Sequence, residues 1–112
     1  MKTGIELIAE ERQRQIDVEG WTAEHDKLWF NGELALAAAC YAVENNKNVD
    51  VIVPVGENFT SNAWPWDGWW KPSDDPVRNL VKAGALIAAE IDRINAAKST
   101  DTTDGTDEEQ GK

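Results

Sequence analysis

Ten consecutive residues, LALAAACYAV over positions 34–43, carry no charged group. A stretch that is apolar or small on nearly every helical face belongs at the buried centre of a fold, with the rest of the chain packed around it. The surrounding pattern extends this helix from about residues 23–26 to about Asn45. Gly32 lies inside it at a cost of about 1 kcal/mol relative to Ala, which marks a kink or a close helix contact. A first helix is expected over residues 3–18, with Ile5, Ile8, Ala9, Arg12 and Ile16 on one stripe. Thr3 followed by Glu6 has the spacing of a capping box, and Gly20 suits a helix stop. A third helix is expected from Pro76 to about Ala97, with Leu80, Ala83 or Gly84, Ile87, Ile91 and Ile94 turned inward. Asp74 or Asp75 can cap it, with Pro76 in its first turn.

These segments predict an all-α fold, a small helical bundle of three main helices with a long Trp-rich loop between the second and third. The chain of 112 residues makes one domain, expected over residues 1–97. Residues 98–112 lack large apolar side chains and cannot offset their ordering entropy, so a disordered acidic tail is expected there. A core this small gains from association, and completion of the bundle by dimerisation is expected. In the connection, residues 49–55 suit a short edge strand, with Pro54 arguing against a central one. Four Trp then fall within seven residues, at positions 64, 66, 69 and 70. Some must pack on the helices, and the rest are free to meet a flat ligand.

With 21 acidic against 11 basic residues the chain has a formal charge of −10. That charge repels phosphate backbones and anionic lipid, so neither polymeric nucleic acid nor a membrane is an expected partner. A single cysteine, Cys40, in an alanine-rich run suits a reducing compartment. The N-terminus becomes charged before an apolar stretch accumulates, and no run of about 18 apolar residues occurs, so the expected location is the cytoplasm.

The chemistry-bearing candidates are polar groups at positions that the pattern assigns to the interior. Glu33 has aromatic and aliphatic neighbours one turn to either side, Glu90 lies beside the third stripe, and Glu11, Arg12 and Gln15 continue the line of Ile5 and Ile8. A buried carboxylate is costly unless paired, hydrogen-bonded or metal-bound. A hard cation such as Mg²⁺ would take oxygens from Glu33 with Glu11, Asp26 or Glu90. An ion pair of Arg12 with Glu33 or Glu90, fixing only helix register, is the other reading. Asp26 suits a metal ligand or a helix cap, and His25 a general base or a surface residue. Arg78 and Lys82, one turn apart, with Lys71 before them, can hold a di- or triphosphate while Trp66 or Trp69 stacks on a base. The bland alternative pairs Arg78 and Lys82 with Asp74 and Asp75. No Gly-rich phosphate loop, nucleophile elbow or zinc motif is present, so nucleophilic catalysis has no support.

The strings ERQRQ, GWTAEHD, GELALAAACYA, WPWDGWWKP and RNLVKAGALIAAEIDRI together resemble a family of small phage and prophage proteins. Their helical arrangement is similar to the all-α nucleoside triphosphate pyrophosphohydrolases of the MazG type. The resemblance implies a dimeric helical bundle that binds Mg²⁺ through acids on two central helices and cleaves a nucleotide between its α and β phosphates. By position, Glu33 matches a ligand of the second helix, and Glu90 or Asp92 one of the third. This chain departs from the paired-acid pattern, since Phe30 and Leu36 stand three residues either side of Glu33, and Lys27 and Trp29 replace two further polar positions. The expected activity is Mg²⁺-dependent hydrolysis of a purine (deoxy)nucleoside triphosphate. The alternative is a non-catalytic phage protein that binds a nucleotide signal or inhibits a host protein.

Overall fold

The structure, a computed structural model, describes residues 1–44 and 63–99. The expected edge strand at 49–55 and all but the first two residues of the expected tail lie outside them. Those two, Lys98 and Ser99, continue the last helix. The described residues are helical, with α1 over Gly4–Glu19, α2 over Ala23–Asp26, α3 over Glu33–Val43 and α4 over Pro76–Ser99.

Local chemistry fixes most of these ends. The Thr3 hydroxyl accepts the Glu6 N–H at 3.2 Å while the Glu6 carboxylate accepts the Thr3 N–H at 2.8 Å, closing the capping box. Gly20 ends α1 in the left-handed region at φ 76°, where it donates to the carbonyls of Gln15 and Ile16. At α4 it is Asp75 that caps, its carboxylate accepting the Val77 N–H at 3.0 Å, with Pro76 supplying the preset φ of the first turn.

The expected second helix is divided in two. Thr22 caps α2 by accepting the His25 N–H at 3.1 Å, and the helix stops after one turn. The chain then turns and restarts at Gly32, which adopts φ 91°. No residue with a Cβ takes that conformation cheaply, so this glycine marks a break rather than a kink. The Glu33 carboxylate stabilises the restart by accepting the Asn31 N–H at 2.8 Å.

Helix α4, 24 residues long, is the hub, because α1, α2 and α3 each pack against it. Its buried side carries Val81, Ala83, Ala85, Leu86 and Ala89, mostly small residues that let partner helices approach closely. Gly84 shows how closely α1 approaches, since a Cβ built there would lie 2.5 Å from Ile8 Cδ1. The central cluster joins Leu34, Ala37, Ala38 and Tyr41 of α3 to Ala83, Leu86 and Ala89, and burying each Leu contributes roughly 1.5–3 kcal/mol.

Two expected stripes are thereby corrected. Leu80, Ile87, Ile91 and Ile94 are exposed, because the alanine face takes the interior. In α1 the buried residues are Glu11, Arg12 and Gln15, while Ile5 stands in solvent. Among the described residues no helix is long and apolar enough to cross a membrane.

Candidate functional site

A cavity of about 340 Å³ opens between α1, α2, α3, α4 and the Trp-rich segment. Its wall includes the aromatic rings of Trp21, Trp29, Tyr41, Trp64, Trp66 and Trp69, the cations Arg14, Lys71 and Lys82, the acids Glu11, Glu19 and Asp26, and the polar groups Gln15 and His25. The volume falls within the range of small-molecule sites, as does the combination of rings with a few convergent polar groups.

The aromatic side is a connected edge-to-face assembly. Trp64 lies 5.4 Å from Trp66 and 4.9 Å from Trp70 between ring centroids, Trp66 lies 5.6 Å from Trp69, and Trp29 lies 5.3 Å from Trp66. Tyr41 joins it from α3 at 4.7 Å from Trp70 and 5.8 Å from Trp64. Such pairs add roughly 0.5–1.5 kcal/mol beyond area burial, and Trp29, Trp64, Trp66 and Trp70 also pack against the helical core cluster. The Trp64 indole N–H donates to the Gly68 carbonyl at 2.7 Å. Gly68 and Trp69 both take positive φ, 93° and 67°. A left-handed bulky residue is strained by roughly 1–3 kcal/mol, and Trp69, 60% exposed, bears that strain at the cavity wall.

The segment that follows is fastened to the helices. Asn79, fully buried in α4, accepts the Ser73 N–H at 2.7 Å and donates to the Ser73 carbonyl at 2.9 Å. The Tyr41 hydroxyl accepts the Lys71 N–H at 3.2 Å, and Lys82 Nζ donates to the Lys71 carbonyl at 2.7 Å. Lys82 Nζ also sits 5.4 Å from the centre of the Tyr41 ring. Burial lowers the pKa of Lys82, and the Arg78 charge lowers it further, so an anion in the cavity would relieve both effects. Burial raises the pKa of Tyr41 against the opposing Lys71 N–H.

The charged side rests on Glu11. Arg14 grips this carboxylate with two hydrogen bonds of 2.9 and 3.0 Å, and Arg78 donates to it at 2.6 Å from the other side. Desolvation raises the Glu11 pKa, but the bonds from Arg14 and Arg78 outweigh it, and the net pKa is lowered. Glu11 also accepts from Gln15 Nε2 at 3.3 Å. That bond leaves Gln15 Oε1, like the Trp66 indole N–H, without a hydrogen-bond partner among the described residues. An unmet buried polar group costs roughly 1–3 kcal/mol, and both belong to residues of the cavity wall.

Of the residues singled out in the sequence, His25, Asp26, Glu11, Lys71, Lys82, Trp66 and Trp69 meet at this cavity. Arg78, Glu33 and Glu90 are not part of its wall; Arg78 reaches it only through Glu11. The His25 ring Nδ1 lies 3.0 Å from Asp26 Oδ1, an arrangement that orients the imidazole. Gln15, read from the sequence as a polar group turned inward, joins those wall residues, whereas Arg14, Trp21 and Tyr41 were not foreseen, because a residue's place on the wall depends on how the helices cross.

The four acids proposed as metal ligands have different partners. Glu11 belongs to the Arg14–Arg78 pair. The other three have separate partners: Glu90 accepts from Arg93 at 2.7 Å, which is the main cause of the raised Arg93 pKa, Glu33 accepts from the Asn31 N–H, and Asp26 contacts His25. Asp26 further faces Arg12 at 3.8 Å, while Arg12 donates to the Trp21 carbonyl at 2.9 Å. Glu90 is thus already paired with a guanidinium. Among the described residues no three His, Cys, Asp or Glu side chains are grouped so as to hold a metal ion. Compared with models of known families, with characterised proteins and with solved structures, the chain matches none.

Proposed function

We propose that the protein binds a nucleotide in the aromatic cavity, with the base against the Trp rings and the phosphates toward Arg14, Lys71 and Lys82. The observation that carries this reading is the joint presence in one wall of a large π surface and three cations, in a chain whose overall charge is −10. Polymeric nucleic acid is disfavoured by that overall charge, whereas a single nucleotide meets only the local field. The unmet Gln15 acceptor and Trp66 donor suit a ligand carrying both kinds of group. A cytoplasmic setting and a phage origin belong to the same proposal and rest on the resemblance of the sequence strings. Retention of the nucleotide, rather than its cleavage, is the role favoured by carboxylates that are already neutralised by Arg14, Arg78 and Arg93.

Titration of the intrinsic Trp fluorescence with a panel of ribo- and deoxynucleotides tests this reading. Saturable quenching by at least one nucleotide is expected, weakened about tenfold or more by Lys82→Met. No response from any nucleotide would remove the proposal. Release of pyrophosphate in the presence of Mg²⁺, lost in Glu33→Gln, would replace retention by turnover.

A further inference from the structure

The charges around the cavity do not all face a ligand. Arg14 turns Nε and one terminal nitrogen to Glu11 at 2.9 and 3.0 Å and the other terminal nitrogen to Glu19 at 3.2 Å, so its fork of donors is occupied by two acids of the same wall. Arg78, from outside the wall, adds a second guanidinium to Glu11 at 2.6 Å. Two guanidinium groups and two carboxylates thereby balance. The third acid of the wall, Asp26, faces Arg12 at 3.8 Å and the His25 ring at 3.0 Å. The cations left over are the ammonium groups of Lys71 and Lys82, neither of which faces a carboxylate at ion-pair distance among the described residues.

Those two lysines are tied to one edge of the cavity. Lys82 Nζ donates to the Lys71 carbonyl at 2.7 Å, and the Lys71 N–H donates to the Tyr41 hydroxyl at 3.2 Å. Tyr41 is only 6% exposed, and the proton of its hydroxyl meets no acceptor among the described residues, which leaves an O–H donor next to the two lysines. Two positive charges and one such donor match a phosphate monoester, which carries about −1.5 to −2 charges at pH 7. Each further phosphate would add negative charge that no cation of the wall is left to balance. The volume of about 340 Å³ also lies at the lower end of the roughly 300–1,000 Å³ spanned by small-molecule sites, which favours the smallest nucleotides. Building on the nucleotide reading of the cavity, we infer that its ligand class is the nucleoside monophosphate rather than the triphosphate, with the phosphate held by Lys71, Lys82 and the Tyr41 hydroxyl.

Calorimetric titration of the full chain with the 5′-mono-, di- and triphosphates of adenosine, guanosine, cytidine and uridine tests this, once in EDTA and once in MgCl₂. For the base that binds best, the monophosphate is expected to bind at least about threefold more tightly than the triphosphate in either buffer. It is also expected to bind at least about tenfold more tightly than the 3′,5′-cyclic monophosphate, whose phosphodiester carries a single charge. A triphosphate or a cyclic monophosphate that binds as tightly as the monophosphate would overturn the assignment while leaving the nucleotide reading in place, whereas binding of none of these ligands would remove both. Lys71→Met, at an exposed position, separates charge recognition from folding. This variant is expected to weaken the monophosphate about fivefold to tenfold and to leave the unphosphorylated nucleoside unchanged, with the helical circular-dichroism signal retained. Monophosphate affinity that is unchanged, or that falls only in parallel with that of the nucleoside, would overturn the assignment as well.

Discussion

Glu11 shows how one buried carboxylate organises the site. It is 3% exposed and accepts from both Arg14 and Arg78, so removing its charge strands two guanidinium groups that are themselves partly in water. Glu11→Gln is expected to cost about 2 kcal/mol, read as a lowered denaturation midpoint in urea. The same carboxylate sets an acid limit. Its pKa in the fold lies below the ordinary 4.5, so the unfolded chain takes up the proton first as pH falls. The stabilisation is complete above about pH 4.5 and is lost as pH falls through the folded-state value. Stability in Glu11→Gln is therefore expected to vary less with pH between about 5 and 3 than in the natural sequence; equal slopes would place the acid sensitivity on other groups. At this scale the sequence was informative about residue type but not about partners. The Glu11–Arg12–Gln15 line was legible as polar groups turned inward, whereas the arginines that receive Glu11, three and 67 residues away, are brought together by the packing of α1 on α4.

At the scale of the element, helix ends were the most legible feature because their chemistry is local: Thr3 with Glu6, Gly20, and Asp75 before Pro76 all act within a few residues of sequence. The break between α2 and α3 was harder to see, since Trp29 and Phe30 keep the apolar pattern running through a turn that only the positive φ of Gly32 betrays. Gly32→Ala is expected to destabilise by about 1 kcal/mol, a fall in melting temperature of roughly 4–8 °C for a domain of this size. An unchanged melting temperature would mean that the chain continues as one helix through that position. Which face of α4 is buried was also hidden, because both faces are apolar and periodicity does not distinguish an alanine side from an isoleucine side. The Trp-rich segment depends on Asn79, a polar residue in the middle of an apolar pattern, which clamps Ser73 by two hydrogen bonds. Asn79→Ala is expected to cost about 2–3 kcal/mol and to broaden the Trp emission by loosening the ring assembly. A stable variant with native emission would show that the rings hold the segment unaided.

For the whole molecule, the fold class followed from the sequence, since a charge-free central helix and two amphipathic ones leave little but a helical bundle. The cavity did not, because it is the space left where α1 and α3 pack on α4 without meeting each other, and the Trp-rich segment closes it. The acids read as a metal cluster have separate partners instead, Glu11 with Arg14 and Arg78, Asp26 with Arg12 and His25, and Glu90 with Arg93, pairings that helix crossing decides and local sequence does not. The cavity wall sets three cations, Arg14, Lys71 and Lys82, and three acids, Glu11, Glu19 and Asp26, beside its rings, and the proposed nucleotide would lay its base on the rings and its phosphates toward the cations. Isothermal titration calorimetry, comparing one responsive nucleotide with its nucleoside and with inorganic pyrophosphate, tests this most directly. Saturable one-to-one binding of the nucleotide per chain is expected, with nucleoside and pyrophosphate each at least about tenfold weaker, since each engages only half of the wall. Binding of pyrophosphate as tight as the nucleotide, or no heat from any of the three, would contradict a cavity that reads base and phosphate together.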